Sequence, residues 1–143
     1  MIKLTQRALG TKLKIGDAAS AVPIGFLTSI SSPSMSQETI DVTTLDSDGE
    51  YREFIGGFKD GGEVSASGFF NPDDPGQAAV YDALENSTTE DFTIEFPAEM
   101  GAKWIFKGVV TAYQTSAELE DAISFEITIK VSGKPVLEIT PTP

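Results

Sequence analysis

The sequence predicts a mainly β protein, an antiparallel sandwich or barrel with one α-helix packed on it. Three observations carry this. Apolar and polar residues alternate with period two through several short segments rich in Val, Ile, Phe and Thr, the pattern of strands buried on one face. Thirteen glycines and eight prolines punctuate the 143 residues, as frequent chain reversals require. Helix-start signals converge at only one place, the acidic and proline-rich segment at 71–77.

In chain order, residues 1–21 read as an N-terminal arm, extended or forming a short strand, that ends in the small-residue run Asp17-Ala-Ala-Ser-Ala. Val22 to Ile30 reads as a first strand, closed by Ser31-Ser-Pro-Ser with Pro33 as its breaker. In Thr39-Ile-Asp-Val-Thr-Thr-Leu the apolar Ile40, Val42 and Leu45 set against Asp41 and Thr43 predict a half-buried strand. Residues 46–62 are polar and carry five glycines along with Tyr51, Phe54, Ile55 and Phe58. They read as a long loop, and long loops in compact domains usually carry function. Their apolar side chains either staple the loop to its own core or await a neighbouring chain.

Glu63 to Phe70 is a strand of small residues. A helix over 73–86 follows, with Asp73 or Asp74 as N-cap, Pro75 in the first turn, and Val80 and Leu84 on its buried face. Three strands complete the domain. Phe92, Ile94 and Phe96 share one face of the first, the second runs from Lys103 to Tyr113, and Phe125, Ile127, Ile129 and Val131 share one face of the third. The organisation is therefore an arm at 1–21, a β domain at 22–137 and a C-terminal tail at 138–143.

Composition narrows the function. The chain has no histidine and no cysteine. That excludes imidazole-based triads, thiolate nucleophiles, disulfide frameworks and the common zinc sites. The net charge is −12, which opposes close approach to nucleic acid phosphates. The charge is also divided: Lys3, Arg7, Lys12 and Lys14 face only Asp17 in the first 35 residues, and the body carries the acidic surplus. A basic arm on an acidic body suits contact with a second copy. No apolar run reaches the ~20 residues of a membrane span, and the N-terminus lacks the apolar region of a signal peptide. The expectation is a cytoplasmic site of synthesis and no membrane partner.

Ligand motifs do not hold. Placing Gly49 at position 6 of a calcium loop puts Thr44 at position 1 and Ile55 at position 12, where an acid is required. Ser132-Gly133-Lys134 resembles the end of a phosphate-binding loop, but Thr128 stands where its first glycine belongs. Acidic neighbours such as Asp73/Asp74 and Glu120/Asp121 lie in turn-like polar stretches, not in the dry pocket that a glycosidase acid needs. Trp104, within Trp-Ile-Phe, reads as core. The expectation is a non-enzyme without cofactor or metal.

One stretch is informative as a whole. Ile40-Asp-Val-Thr-Thr-Leu-Asp leads into Arg52-Glu-Phe-Ile-Gly-Gly-Phe-Lys-Asp-Gly-Gly-Glu, and then Gly68-Phe-Phe-Asn-Pro-Asp-Asp-Pro-Gly-Gln. With Gly101-Ala-Lys-Trp-Ile-Phe-Lys-Gly and Ile129-Lys-Val-Ser-Gly-Lys-Pro, it resembles the major tail tube protein of long-tailed, siphovirus-type bacteriophages. The resemblance covers residues 24–137. It implies a β-sandwich whose inner sheet joins five others in a hexameric ring. It also implies rings stacked into a tube around a tape measure protein, between a tail tip or initiator and a tail terminator. The genome would pass through the lumen without specific binding, and the chain would reside in the virion tail.

On that reading the inter-subunit contacts are Lys3, Arg7, Lys12 and Lys14 of the arm. From the loop they are Asp46, Asp48, Tyr51, Arg52, Phe54, Ile55, Phe58 and Lys59. The strand acids Glu95 and Glu126 face the lumen. Two other readings compete: another tail part, either a terminator or a secreted tube protein of the type VI kind, and a carbohydrate-binding β-sandwich.

Overall fold

The computed structural model describes residues 9–17, 19–98 and 100–139. Among these residues, nine strands and one α-helix run in the order β1 (Lys12–Ile15), β2 (Val22–Pro23), β3 (Leu27–Ile30), β4 (Ser36–Asp41), β5 (Phe54–Asp60), β6 (Glu63–Phe69), α1 (Pro75–Asn86), β7 (Thr89–Glu95), β8 (Ala102–Ser116) and β9 (Ser124–Ile139). Seven strands form one antiparallel sheet in the order β2-β1-β7-β8-β9-β6-β3, and β4 and β5 form a separate hairpin. The mainly β architecture with one packed helix is as the sequence predicts.

The core follows from the period-two pattern. Phe92 and Ile94 of β7, Phe106 and Val110 of β8, Phe125, Ile127, Ile129 and Val131 of β9, and Val64 and Ala66 of β6 all bury on one face. Phe92 stacks on Phe106 with ring centroids 5.5 Å apart. Helix α1 covers this face over β8, β1 and β2, with Val80 and Ala83 buried and Leu84 packed alongside. Register shifts after Ile105 and after Val110 interrupt the β8–β9 ladder, and such bulges bend and twist a long ribbon.

Asp74, not Asp73, caps α1: its carboxylate accepts from Gln77 N–H at 3.0 Å and from Gly25 N–H at 3.0 Å. Gln77 itself is buried. Its amide donates to the carbonyls of Gly25 (3.1 Å) and Phe69 (3.0 Å), and its carbonyl accepts from Asn71 N–H at 2.9 Å. One side chain thus ties the helix start to the end of β6 and to the β2–β3 break. Gly76 sits against Pro23, where a Cβ would collide with the Pro23 carbonyl.

The structure departs from the sequence reading in five places. Residues 12–15 are a strand inside the sheet, with Leu13 and Ile15 in the core, so the arm cannot include them; the short-strand alternative holds there. Val22–Ile30 is two strands, broken at Ile24-Gly25-Phe26, where Phe26 takes φ 63°. Residues 54–60 are strand β5, not loop, paired with β4 from Ser36↔Asp60 to Asp41↔Phe54; Gly56 and Gly57 disguise it. Finally, β4 is exposed along its whole length, and Ile40, Val42 and Leu45 contribute nothing to the core. The last strand also runs further than its apolar pattern, pairing Glu138 with Lys103 and Ile139 with Ala102.

Candidate assembly surface

The β4–β5 hairpin stands apart from the seven-stranded sheet. An isolated two-stranded hairpin is marginal in water, and this one carries large apolar groups on both faces. Ile40 and Ile55 sit opposite each other, Phe54 lies opposite Asp41, and Phe58 is 87% exposed. Exposed apolar groups on both faces make the hairpin a candidate contact surface.

Polar contacts hold the hairpin's tip, residues 42–53, in shape. Asp41 accepts from Thr43 N–H at 2.9 Å and from the Arg52 guanidinium at 3.1 Å. Glu53 N–H donates to Thr43 Oγ1 at 2.8 Å, and Ser47 Oγ donates to the Glu53 carboxylate at 3.1 Å. The hydrogen bonds from Thr43, reinforced by Arg52, hold the Asp41 carboxyl below its usual range. Gly49 and Glu50 take positive φ at the turn. Leu45 and Tyr51 therefore project from a tip held by these hydrogen bonds.

The base of the hairpin is anchored to the sheet. Lys130 Nζ of β9 donates to Asp60 Oδ1 at 2.7 Å, and Gly62 N–H donates to the same oxygen at 2.7 Å. These bonds depress the Asp60 carboxyl, with the Lys130 contact dominant. Gly62 makes the turn into β6 at φ +76°, where any Cβ would strike the Ser34 carbonyl.

The residues expected to make contacts are only partly brought together. Asp46, Asp48, Tyr51, Arg52, Phe54, Ile55, Phe58 and Lys59 all lie on the hairpin and are exposed. Lys3 and Arg7 fall outside the described residues. Lys12 is exposed on β1, but Lys14 is held by Glu95 of its own chain at 3.0 Å. Glu95 and Glu126 both lie on the sheet face opposite the core. Among the described residues, the sheet's two edge strands are short: β3 has four residues, and β2 has two and contains Pro23. Short, proline-bearing edges are blunted against pairing. Longer unpaired backbone lies in the second half of β9, beyond Lys130, where β6 no longer accompanies it. Sequence reasoning missed this stretch, although Val136, Leu137 and Ile139 continue the apolar alternation weakly.

The fold is a curled antiparallel sheet with short edge strands and a projecting hairpin that exposes large apolar groups on both faces, a structural β module. The comparisons agree. Residues 11–137 match the phage tail tube protein family, and the chain belongs to that family. No curated protein matches it. Among solved structures it is similar to a subunit in the tail of an empty gene transfer agent particle, refined with C6 symmetry, at 23% identity and TM-score 0.76, covering 96% of this chain and 100% of that one. It is also similar to the SPP1 tail tube protein, at 15% identity and TM-score 0.73, over 94% of this chain and 80% of that one. A third similar structure comes from the sheath/tube terminator of an extracellular contractile injection system, at 14% identity and TM-score 0.73, over 96% and 99% of the two chains. The chain is thus a structural tail tube component with the tail tube fold. Among the described residues no helix is long and apolar enough to cross a membrane.

Proposed function

We propose that the chain polymerises as stacked hexameric rings into a tail tube through which the genome passes, and that it catalyses no reaction. The observation that carries this is the β4–β5 hairpin, apolar on both faces and ordered to its tip, in a member of the tail tube family. C6 symmetry in a similar tail supports six subunits per ring. The contacts between subunits fall on the hairpin residues from Asp46 to Lys59, with Lys3, Arg7 and Lys12 contributing from the N-terminal side. Lys14 is the weakest of these, because Glu95 already engages it. The partners are further copies of the chain, a tape measure protein, a tail tip or initiator and a terminator. Assembly takes place in the bacterial cytoplasm and ends in the virion tail. The sheet face bearing Glu95 and Glu126 lines the lumen, where carboxylates repel DNA phosphates and prevent specific binding.

Electron microscopy of the protein at high concentration, with and without the other tail proteins, tests this. Hollow tubes of stacked rings are expected. A species that stays monomeric under every such condition refutes the proposal. A second reading, a tube terminator, is favoured by the similarity to a terminator of a contractile injection system. It predicts a single ring capping each tube in place of rings along its length.

A further inference from the structure

Beside the hairpin base lies a groove of about 480 Å³, lined by Met35, Val131, Pro135 and three lysines, Lys59, Lys130 and Lys134. Three of the chain's ten basic residues converge here in a protein of net charge −12. Asp60 is the groove's one carboxylate, and Lys130 already holds it at 2.7 Å. Lys59 and Lys134 are exposed on the rim. The groove is therefore apolar in its floor and positive at its rim.

The chain also carries the matching shape. Between β8 and β9, Glu118-Leu119-Glu120-Asp121 forms a β-turn closed by Asp121 N–H donating to the Glu118 carbonyl at 3.2 Å. Turn corners favour Gly, Pro, Asn, Asp or Ser. Here the corner is Leu119, fully exposed at 100% and flanked by three carboxylates. A bare leucine in that position does nothing for the fold of its own chain. The two features lie apart along β9: the turn precedes its first residue, Ser124, and the groove sits in the middle of the strand, at Lys130 to Pro135. The intervening stretch of strand spans roughly 20–25 Å at ~3.3 Å per residue.

We infer that the Leu119 turn of one subunit docks in the Lys59–Lys130–Lys134 groove of a second copy, its side chain on the apolar floor and its carboxylates against the rim lysines. Two different patches on one chain make a head-to-tail contact, which repeats into a ring or a filament and does not stop at a dimer. The groove includes the hairpin base, so occupation also fixes the hairpin against the body. This inference rests on the tube reading above and names a contact within it.

The absence of native cysteine makes the test direct. A Leu119→Cys, Met35→Cys double variant is assembled into tubes and oxidised, then run without reductant. The expected result is a ladder of covalent multimers from tubes, with neither single variant exceeding a dimer. Tubes that assemble normally but give no ladder overturn the inference and leave the tube reading intact, as does a link formed within isolated monomers. Failure of the parent chain to form tubes overturns both. If the cysteines themselves hinder assembly, charge reversal decides. Lys59→Glu with Lys134→Glu, or Glu118→Lys with Glu120→Lys, should each reduce tube yield at least tenfold, and combining all four should restore it. Yields unaffected by either pair, or not restored by the combination, reject the contact.

Discussion

Replacing Phe54, Ile55 and Phe58 together with serine separates folding from assembly. Full burial of a Phe or Ile side chain is worth about 1.5–3 kcal/mol. Phe58 is 87% exposed, and Phe54 and Ile55 are each 54% exposed. Scaling by those fractions leaves roughly 4–5 kcal/mol per subunit to be gained when a neighbour covers the hairpin. The part already buried comes to about 2 kcal/mol, and β4 and β5 pair with each other away from the main sheet. The monomer should therefore keep its cooperative unfolding, with a melting temperature lower by roughly 5–10 °C. Assembly should weaken by about three powers of ten, since each 1.4 kcal/mol is about tenfold. Circular dichroism melts of dilute protein check the first quantity, and sedimentation with electron microscopy of concentrated protein checks the second. A triple variant that loses its folded spectrum shows that the hairpin is part of the core. One that forms tubes at ordinary concentration shows that its apolar groups meet no neighbour. Either result refutes the reasoning.

Three further outcomes follow from the geometry. Gln77→Leu removes three buried hydrogen bonds and strands the partners of each, so the monomer should lose about 3 kcal/mol, read by urea denaturation. Ser87 ends α1 at φ 54°, in the left-handed region, and Ser87→Gly should stabilise the fold by about 0.5–1 kcal/mol in the same assay. Asp60 and Asp41 both have depressed carboxyls, so their contribution is complete above the unfolded value near pH ~4 and is lost as pH falls through the lower folded values. Amide protection factors at the hairpin base should fall in that acid window, and Asp60→Asn should show the lowered protection already at neutral pH.

The sheet was legible because its residues obey one rule at a time. Phe92 and Ile94, or Phe125, Ile127 and Ile129, alternate with polar neighbours and bury as alternation demands. The helix was legible because Asp74, Pro75 and Val80 carry independent signals of cap, first turn and buried face. Alternation reports that two faces differ, but it does not say which chain covers the apolar one. Ile40 and Val42 alternate as cleanly as Phe92 and Ile94, yet they stay outside the core and partly exposed. Strand β5 was hidden for a different reason. Gly56 and Gly57 have low strand propensity, and their pairing is fixed by β4 across a register shift after Gln37. Likewise Lys12 and Lys14 suggested a solvated arm, because two lysines among four residues outweighed Leu13 and Ile15 in the charge pattern; the pairing with β7 settles the strand.

That last correction changes what truncation can test. Deleting residues 1–14 removes Leu13, which is fully buried, and breaks the ladder with Ile94 and Thr93; such a chain should misfold and would report nothing about basic contacts. Ending the deletion at residue 11 keeps β1 whole while removing Lys3 and Arg7. The sheet's polar face imposes a similar revision on the lumen. Glu95 is neutralised by Lys14 at 3.0 Å, and Asp91 and Glu63 stand opposite Lys107 and Lys130 across the ladders. Glu126, by contrast, lies between Ser67 and Gln114, so its charge has no cross-strand cation to offset it. If this face lines the tube, repulsion of DNA rests on Glu126 far more than on Glu95. Glu126→Lys should then slow genome ejection and leave tube assembly unchanged, whereas Glu95→Gln should alter ejection little. Equal effects of the two substitutions would show that the polar face does not meet the DNA.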